Sequence, residues 1–189
     1  MSRMEEKVIL GIDPGTLLMG FGVLRVKDSK TPEYVDMGVL DLRRFKDPYS
    51  KVSRINAFVE ELCATYSPTD LAIESPFYGK NAQVIFKLGR AQGAAIAAAA
   101  RFGAEVCEYA PRKAKIAICG NGAASKEQVS TMVQKTLGIS INPDHLDATD
   151  ALAIAMCHFY QLTSPLTSTS ASTSWSKFVS ANPDRISQK

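Results

Sequence analysis

No stretch of this 189-residue chain is apolar for long enough to cross a bilayer as a helix: the longest run of small apolar residues, Gly93 to Ala100, falls well short of the ~20 a span needs. Nor does a charged and then apolar leader precede the first apolar strand, so the expected setting is the cytoplasm, with no membrane partner. Cysteine is scarce. Cys63, Cys107, Cys119 and Cys157 stand too far apart for paired CxxC zinc ligands and are expected as reduced, buried thiols. Histidine is scarcer still, with only His145 and His158. No internal repeat at a solenoid or propeller period is present. Neither charge sign is in large excess: 22 Lys and Arg against 19 Asp and Glu give +3, which permits a nucleic-acid partner without arguing for one.

What is present is the composition of one globular domain, 46% hydrophobic and 22% charged. Val8 to Asp13 reads as a buried strand ending on a carboxylate, with Pro14-Gly15 as the turn. Gly20 to Val26 and Tyr34 to Leu42 alternate apolar residues on either side of the Asp28 to Pro32 turn cluster, so the first three strands are predicted to form an antiparallel meander. Asp47-Pro48 starts a helix that should end near Tyr66. Leu71 to Glu74 is a short strand that again ends on an acid. Asn81 to Arg101 is an Ala-rich helix in which Gly89 and Gly93 share a face and suggest close packing of a neighbouring helix.

A strand at Glu105 to Tyr109 and a short basic helix after Pro111 follow, the helix ending at Gly120-Asn121-Gly122. Ser125 and Gln128 form a capping box for a helix that stops at Gly138, and the last helix runs from about Asp144 to Tyr160. Residues 1–162 are thus expected as the folded domain. Residues 163–189, dominated at first by Ser and Thr, have too few periodic apolar residues to offset their ordering entropy and are expected as a disordered tail.

The chemistry lies in four acids. Asp147 and Asp150, three apart on a helix, project within roughly 60° of each other and can share a ligand. Taken alone, acids in a first helical turn simply complement the helix dipole, at ~0.3–1 kcal/mol each. A lone Asp at a strand end is commonly a turn former. The conjunction says more: Asp13 and Glu74 each end an apolar strand, and four carboxylates converging at a sheet edge repel one another unless a cation sits among them. A site of oxygen donors without His or Cys suits Mg²⁺, with Mn²⁺ able to substitute. Two such ions about 3.5–4 Å apart would serve in-line hydrolysis of a phosphodiester. His158, more than two helical turns beyond Asp150, fits a packing or surface role, and His145 fits a helix N-terminal one.

The runs Gly11-Ile12-Asp13-Pro14-Gly15-Thr16, Ala72-Ile73-Glu74 and Asp147-Ala148-Thr149-Asp150-Ala151-Leu152-Ala153 closely resemble the RuvC family of bacterial Holliday junction resolvases. Lys80-Asn81-Ala82, Lys87-Leu88-Gly89 and Ser125 to Val129 match as well, in order, so that the resemblance covers about Val8 to Tyr160. It implies an α/β fold of the RNase H-like class: a mixed five-stranded sheet, its first three strands antiparallel, flanked by helices. It implies a crossover junction endodeoxyribonuclease in DNA recombination and repair. Asp13, Glu74, Asp147 and Asp150 would hold the catalytic metals, and a homodimer would nick opposing strands of a four-way DNA junction. Lys115 and Lys126 are implied on the active side, Phe77 as a base-stacking aromatic whose role Tyr78 shares or replaces, and Lys80, Lys87, Arg90 and Arg112 as contacts to the DNA. RuvA and RuvB are the implied branch-migration partners.

Other readings fit parts of the pattern. Asp-Pro-Gly-Thr after a strand also occurs in actin-like ATPases and sugar kinases, but the chain is too short for two such domains and Asp147 and Asp150 would have no role. An RNase H-like RNA-processing nuclease of the YqgF type would share the first strand. A non-catalytic junction-binding module would be expected to have lost an acid, and all four are present.

Overall fold

In a computed structural model, residues 6–27, 31–75, 81–140 and 146–164 are described. Phe77, Tyr78, Lys80, Asp144, His145 and the Ser/Thr-rich tail from 165 onward lie outside them, and so do the expectations placed on those residues. Five strands, β1 (Lys7–Asp13), β2 (Leu18–Val26), β3 (Glu33–Asp41), β4 (Asp70–Glu74) and β5 (Glu105–Tyr109), form one sheet in the order β3-β2-β1-β4-β5. β1 to β3 are antiparallel neighbours, and β4 and β5 extend the sheet parallel to β1. This is the RNase H-like α/β arrangement expected from the sequence.

The helices are α1 (Pro48–Tyr66), α2 (Ala82–Arg101), α3 (Pro111–Cys119), α4 (Lys126–Leu137) and α5 (Leu146–Thr163). Their starts are written locally. Asp47 accepts from the Ser50 amide at 2.6 Å, Asn81 from the Gln83 amide at 3.0 Å, and Ser125 and Gln128 close the capping box that opens α4. Gly120 and Gly138 end α3 and α4 in the left-handed conformation that glycine adopts without steric cost. Near its end α5 continues three residues past the expected Tyr160, carried on by the half-buried Leu162.

Strand alternation assigns each side chain to a face. Leu10, Ile12, Leu71 and Ile73 point into the core built with α1 and α2, whereas Ile9 and Ala72 point into the core built with α3, α4 and α5. Asp13 and Glu74 share the parity of Ile9 and Ala72, so both acids emerge on the α5 face. On that face Gly11, Gly20 and Gly22 line up across β1 and β2, where Gly11 pairs with Gly22 and Asp13 with Gly20. The fully buried Ala148, Ala151 and Ala155 of α5 lie against this seam. A Cβ on Gly20 would overlap the carbonyl oxygen of Asp147, whose carbon is 2.7 Å away, and one on Gly11 would come within 2.9 Å of Ala155 Cβ.

The expectation for Gly89 and Gly93 is corrected. A Cβ at either would meet nothing within 4 Å, because both face outward. α2 packs on α1 and the sheet through the opposite side, with Ala91, Ala95 and Ala98 buried. The cysteines divide: Cys63 and Cys157 are buried free thiols, while Cys107 and Cys119, also free, are only half-buried.

His158 proves to be a core residue with both ring nitrogens engaged. Nδ1 lies 2.7 Å from the Tyr109 hydroxyl and Nε2 lies 3.2 Å from Asp70 Oδ1, which ties the far half of α5 to β4 and β5. Asp70, 1% exposed, also accepts from Lys7 at 2.9 and 3.0 Å and from Thr69 Oγ1 at 2.5 Å. Burial pushes its carboxyl upward, but the hydrogen bonds from His158, Lys7 and Thr69 and the charge of Lys7 outweigh that and hold it well below the usual carboxylate range. A depressed folded-state value gives stability that is present above the unfolded-state value of about 3.9 and is lost as pH falls below it. Asp70→Ala, which strands Lys7 and His158, should cost about 3–5 kcal/mol in urea unfolding at neutral pH. The difference from the parent should shrink as pH drops below about 4. A difference that stayed constant with pH would remove the ionised carboxylate from the account.

Candidate active site

The α5 face brings three acids to one point. β1 delivers Asp13 at its last residue, and the glycine seam lets the first turns of α5 settle close enough to bring Asp147 and Asp150 to it. One carboxylate oxygen from each of Asp13, Asp147 and Asp150 lies within 4.8 Å of the other two, a spacing that can hold a metal ion. β4 delivers Glu74 alongside: Asp13, Glu74 and Asp150 line a cleft of about 330 Å³ together with Lys115, Lys126 and the apolar side chains of Val129 and Ile154. Gln92, buried on α2, steadies the end of β4 by donating to the Glu74 carbonyl at 3.4 Å and to Glu108 Oε2 at 3.0 Å.

Crowding carboxylates into a half-buried cleft has an electrostatic cost. Burial, Asp150 and Asp147 push the Asp13 carboxyl up to about 7 against the opposing charge of Lys126. Burial, Asp13 and Asp150 push Glu74 up to about 8 against Lys126 and Lys115. Lys126 donates to Asp150 Oδ2 at 2.7 Å and to Asp147 Oδ1 at 3.1 Å; burial disfavours its charge, and these two acids raise its pKa in spite of that. The Lys115 ammonium donates to the Ala124 carbonyl at 2.8 Å, which fixes it at the cleft wall. Once all four carboxyls are ionised they exceed the two ammonium groups by two negative charges, and the lining contains oxygen donors with no His or Cys. That donor set fits a hard divalent cation and not zinc held by nitrogen or sulfur.

The raised Asp13 value has a testable sign. A carboxyl whose folded-state pKa lies above its unfolded value leaves stability complete below about 3.9 and erodes it as pH rises through about 7. In EDTA, Asp13→Asn should therefore unfold at higher urea concentration than the parent above pH 7, with the gap closing towards pH 4. Equal midpoints at pH 8 would show that the acid cluster carries no such strain.

Not every candidate converges here. Lys87 and Arg90 sit on α2, across the sheet from the acids, where they line a different cavity with Lys46 and Lys51. Arg112 extends along α3 against Gly122, where a Cβ would come 2.6 Å from its Cγ, and it is exposed outside the cleft. The sequence reading missed the glycine seam, Gln92 and Lys46 and Lys51. The seam had a signal: glycines at alternate positions of adjacent strands, matched by alanines at helical spacing on α5.

Comparison with known proteins agrees with this architecture. The family model described as crossover junction endodeoxyribonuclease RuvC matches residues 9–158. The crossover junction endodeoxyribonuclease RuvC of Bacteroides fragilis is 49% identical over 97% of this chain and 97% of its own length, and that of Porphyromonas gingivalis is 46% identical over 96% and 98%. The solved structure of Thermus thermophilus RuvC in complex with a Holliday junction substrate superposes with a TM-score of 0.76 at 34% identity, covering 83% of this chain and 95% of that one. The yeast mitochondrial Holliday junction resolvase Ydc2, at 14% identity and a TM-score of 0.63, shares the fold. With its match running from the strand that carries Asp13 to the helix that carries Asp147 and Asp150, the chain belongs to the RuvC family of crossover junction endodeoxyribonucleases.

Proposed function

We propose that this protein resolves four-way DNA junctions by hydrolysing one phosphodiester on each of two opposing strands, with Mg²⁺ held by Asp13, Glu74, Asp147 and Asp150. The observation that carries the reading is the meeting of Asp13, Asp147 and Asp150 within 4.8 Å beside Glu74, in a chain of this family. Bound Mg²⁺, or Mn²⁺ in its place, supplies Lewis-acid activation of the attacking water and charge stabilisation of the leaving 3′ oxygen. The chain's own groups do the rest. Asp13 and Glu74 sit at the ends of adjacent paired strands, so the sheet fixes their separation. Lys126, already bonded to two of the acids, and Lys115, at the cleft wall, present positive charge to the scissile phosphate. Val129 and Ile154 give the cleft an apolar wall, and the lower local polarity strengthens each of these interactions. Phe77 and Tyr78 are assigned to base stacking beside the cut, and Lys80, Lys87, Arg90 and Arg112 to contacts that give affinity and salt dependence without reading sequence.

A symmetric homodimer follows from the substrate, since a junction has near-equivalent arms and a two-fold pair sets two identical sites across it. Support comes from α2, whose outward face carries Phe86, 71% exposed, beside the bare Gly89 and Gly93. Phe86→Glu with Gly93→Glu should yield a monomer by sedimentation and convert paired cuts to single nicks. A dimer that survived both changes would place the interface elsewhere. The setting is the cytoplasm, with RuvA and RuvB as partners that deliver junctions by branch migration.

The direct test sets a synthetic mobile four-way junction against linear duplex and RNA:DNA hybrid, with Mg²⁺, Mn²⁺ or EDTA. Paired, symmetric, metal-dependent nicks in the junction are expected. Binding without cutting in either metal would leave a structural DNA-binding role, and preferential cutting of RNA would point to a processing nuclease.

A further inference from the structure

Of the four acids, Glu74 is the one set apart. It lines the same cleft but lies outside the close group that Asp13, Asp147 and Asp150 form. The sheet sets where Glu74 emerges, yet it is the last residue of β4, and the register of β4 against β1 runs only as far as Ile73. Its exact position is therefore settled at the strand end. There the Glu74 carbonyl accepts from Gln92 Nε2 of α2, reaching it from the side of the sheet opposite the acids. Gln92 is 8% exposed and buried among Ala91, Ala95, Ala98 and Ala99. A buried amide is costly unless bonded, and this one spends its nitrogen on Glu74 and on Glu108.

The two bonds differ. The one to Glu108 Oε2, at 3.0 Å, has ordinary length, whereas the one to Glu74, at 3.4 Å, is near the outer limit of a hydrogen bond. A movement of α2 towards β4 by about 0.4–0.5 Å would bring the second to ordinary length as well. Small shears of this kind are how packed helices yield, and the methyl groups on the inner side of α2 interlock less deeply than branched side chains do. The outward side of the same helix, with Phe86 and the bare Gly89 and Gly93, is the face assigned above to a second copy of the chain. A partner seated there bears on a helix whose inner side holds the Glu74 carbonyl.

We propose that Gln92 is a positioning residue through which a second copy docked on α2 draws Glu74 into the acid cluster, so that metal is held most tightly in the dimer and a lone subunit nicks slowly. The inference rests on the four-acid site and the dimer face proposed above. It gives paired cutting a physical basis, because a site completed only opposite its twin favours two cuts over one.

Mn²⁺ binding without DNA, followed by the loss of the free-ion electron paramagnetic resonance signal, reads metal affinity apart from cutting. The Phe86→Glu, Gly93→Glu monomer should bind Mn²⁺ about tenfold more weakly than the dimeric parent, the scale on which a group behind a metal ligand acts. Gln92→Met keeps the packing and removes both donors. It should lose the same factor while remaining a dimer by sedimentation, and the triple variant should lose no more than either, since all the changes break one link. Gln92→Lys keeps a donor facing Glu74 and Glu108 and should retain most of the affinity, which a purely packing role would not predict. The unsubstituted chain supplies a check that needs no variant: by reciprocity, Mn²⁺ should tighten its dimerisation. Losses that multiply in the triple variant, Gln92→Met with parental affinity, or a parent dimer indifferent to Mn²⁺ would each overturn the proposal. An α2 variant that stays dimeric overturns the dimer face and the coupling with it, whereas a parent that binds no Mn²⁺ overturns the four-acid reading instead.

Discussion

Asp13→Asn is expected to slow junction cutting at least roughly 10³-fold, the scale on which loss of one preorganised charge-stabilising group acts, while junction affinity stays within a few-fold of the parent. Asp13 shares the three-carboxylate cluster with Asp147 and Asp150 and is the charge that weighs most on Glu74. The amide preserves size and removes the charge proposed to hold a metal. Affinity should persist because the cations proposed to contact the DNA, Lys87 and Arg90 among them, lie away from the acid cluster. Single-turnover cutting of a mobile junction measures the rate, and binding in EDTA measures the affinity. Cutting within tenfold of the parent would take Asp13 out of the metal site. The same variant is the one expected to gain stability above pH 7, so an inactive but better-folded protein would exclude misfolding as the cause.

Gly20→Ala should reduce cutting by about 10²-fold although Gly20 touches no substrate, since a displacement of ~1 Å at a reacting centre has that effect. The added methyl meets the backbone of Asp147, which no rotamer change can move aside, so α5 must retreat from β2 and carry Asp147 and Asp150 away from Asp13. Stability should drop as well, by about 1–3 kcal/mol or somewhat more, as for overpacking in a tight core. The distinguishing readout is metal dependence. A loosened cluster binds its ion more weakly, so raising Mg²⁺ should restore part of the rate to Gly20→Ala and none to Asp13→Asn. A loss unaffected by Mg²⁺ would mean that the helix stays in place and the strand distorts instead.

Much of this was legible in the sequence because the signals are local. Asp47, Asn81, Ser125, Gly120 and Gly138 mark helix ends with their own side chains or backbone freedom, and each element boundary falls where these residues put it. The strands ending on Asp13 and Glu74 and the i, i+3 pair on α5 were likewise visible before any contact was known. What escaped the reading depends on pairings distant in the chain. Gly89 and Gly93 look like a packing motif only if a helix lies over them, and the described residues put none there. Gly11, Gly20 and Gly22 acquire meaning only once β1 and β2 are in register and α5 is seen to cross them. The buried link from Lys7 through Asp70 to His158 joins three elements, and Lys46 and Lys51 enter a shared cavity with Lys87 and Arg90 through the α1 and α2 packing.

The alternation along β1 bears on which length changes the gene can accept. A strand repeats its facing every second residue, so deleting or inserting one residue between Lys7 and Asp13 would carry every following side chain to the opposite side. Ile12 would then face α5 at the mouth of the cleft, and Asp13 would be driven toward the apolar layer of Leu40, Ile55 and Ala91. Pairing with β2 on one edge and β4 on the other leaves no free margin to absorb the slip. Single-codon length variation should accordingly be excluded from β1 and tolerated at the turns that join the strands.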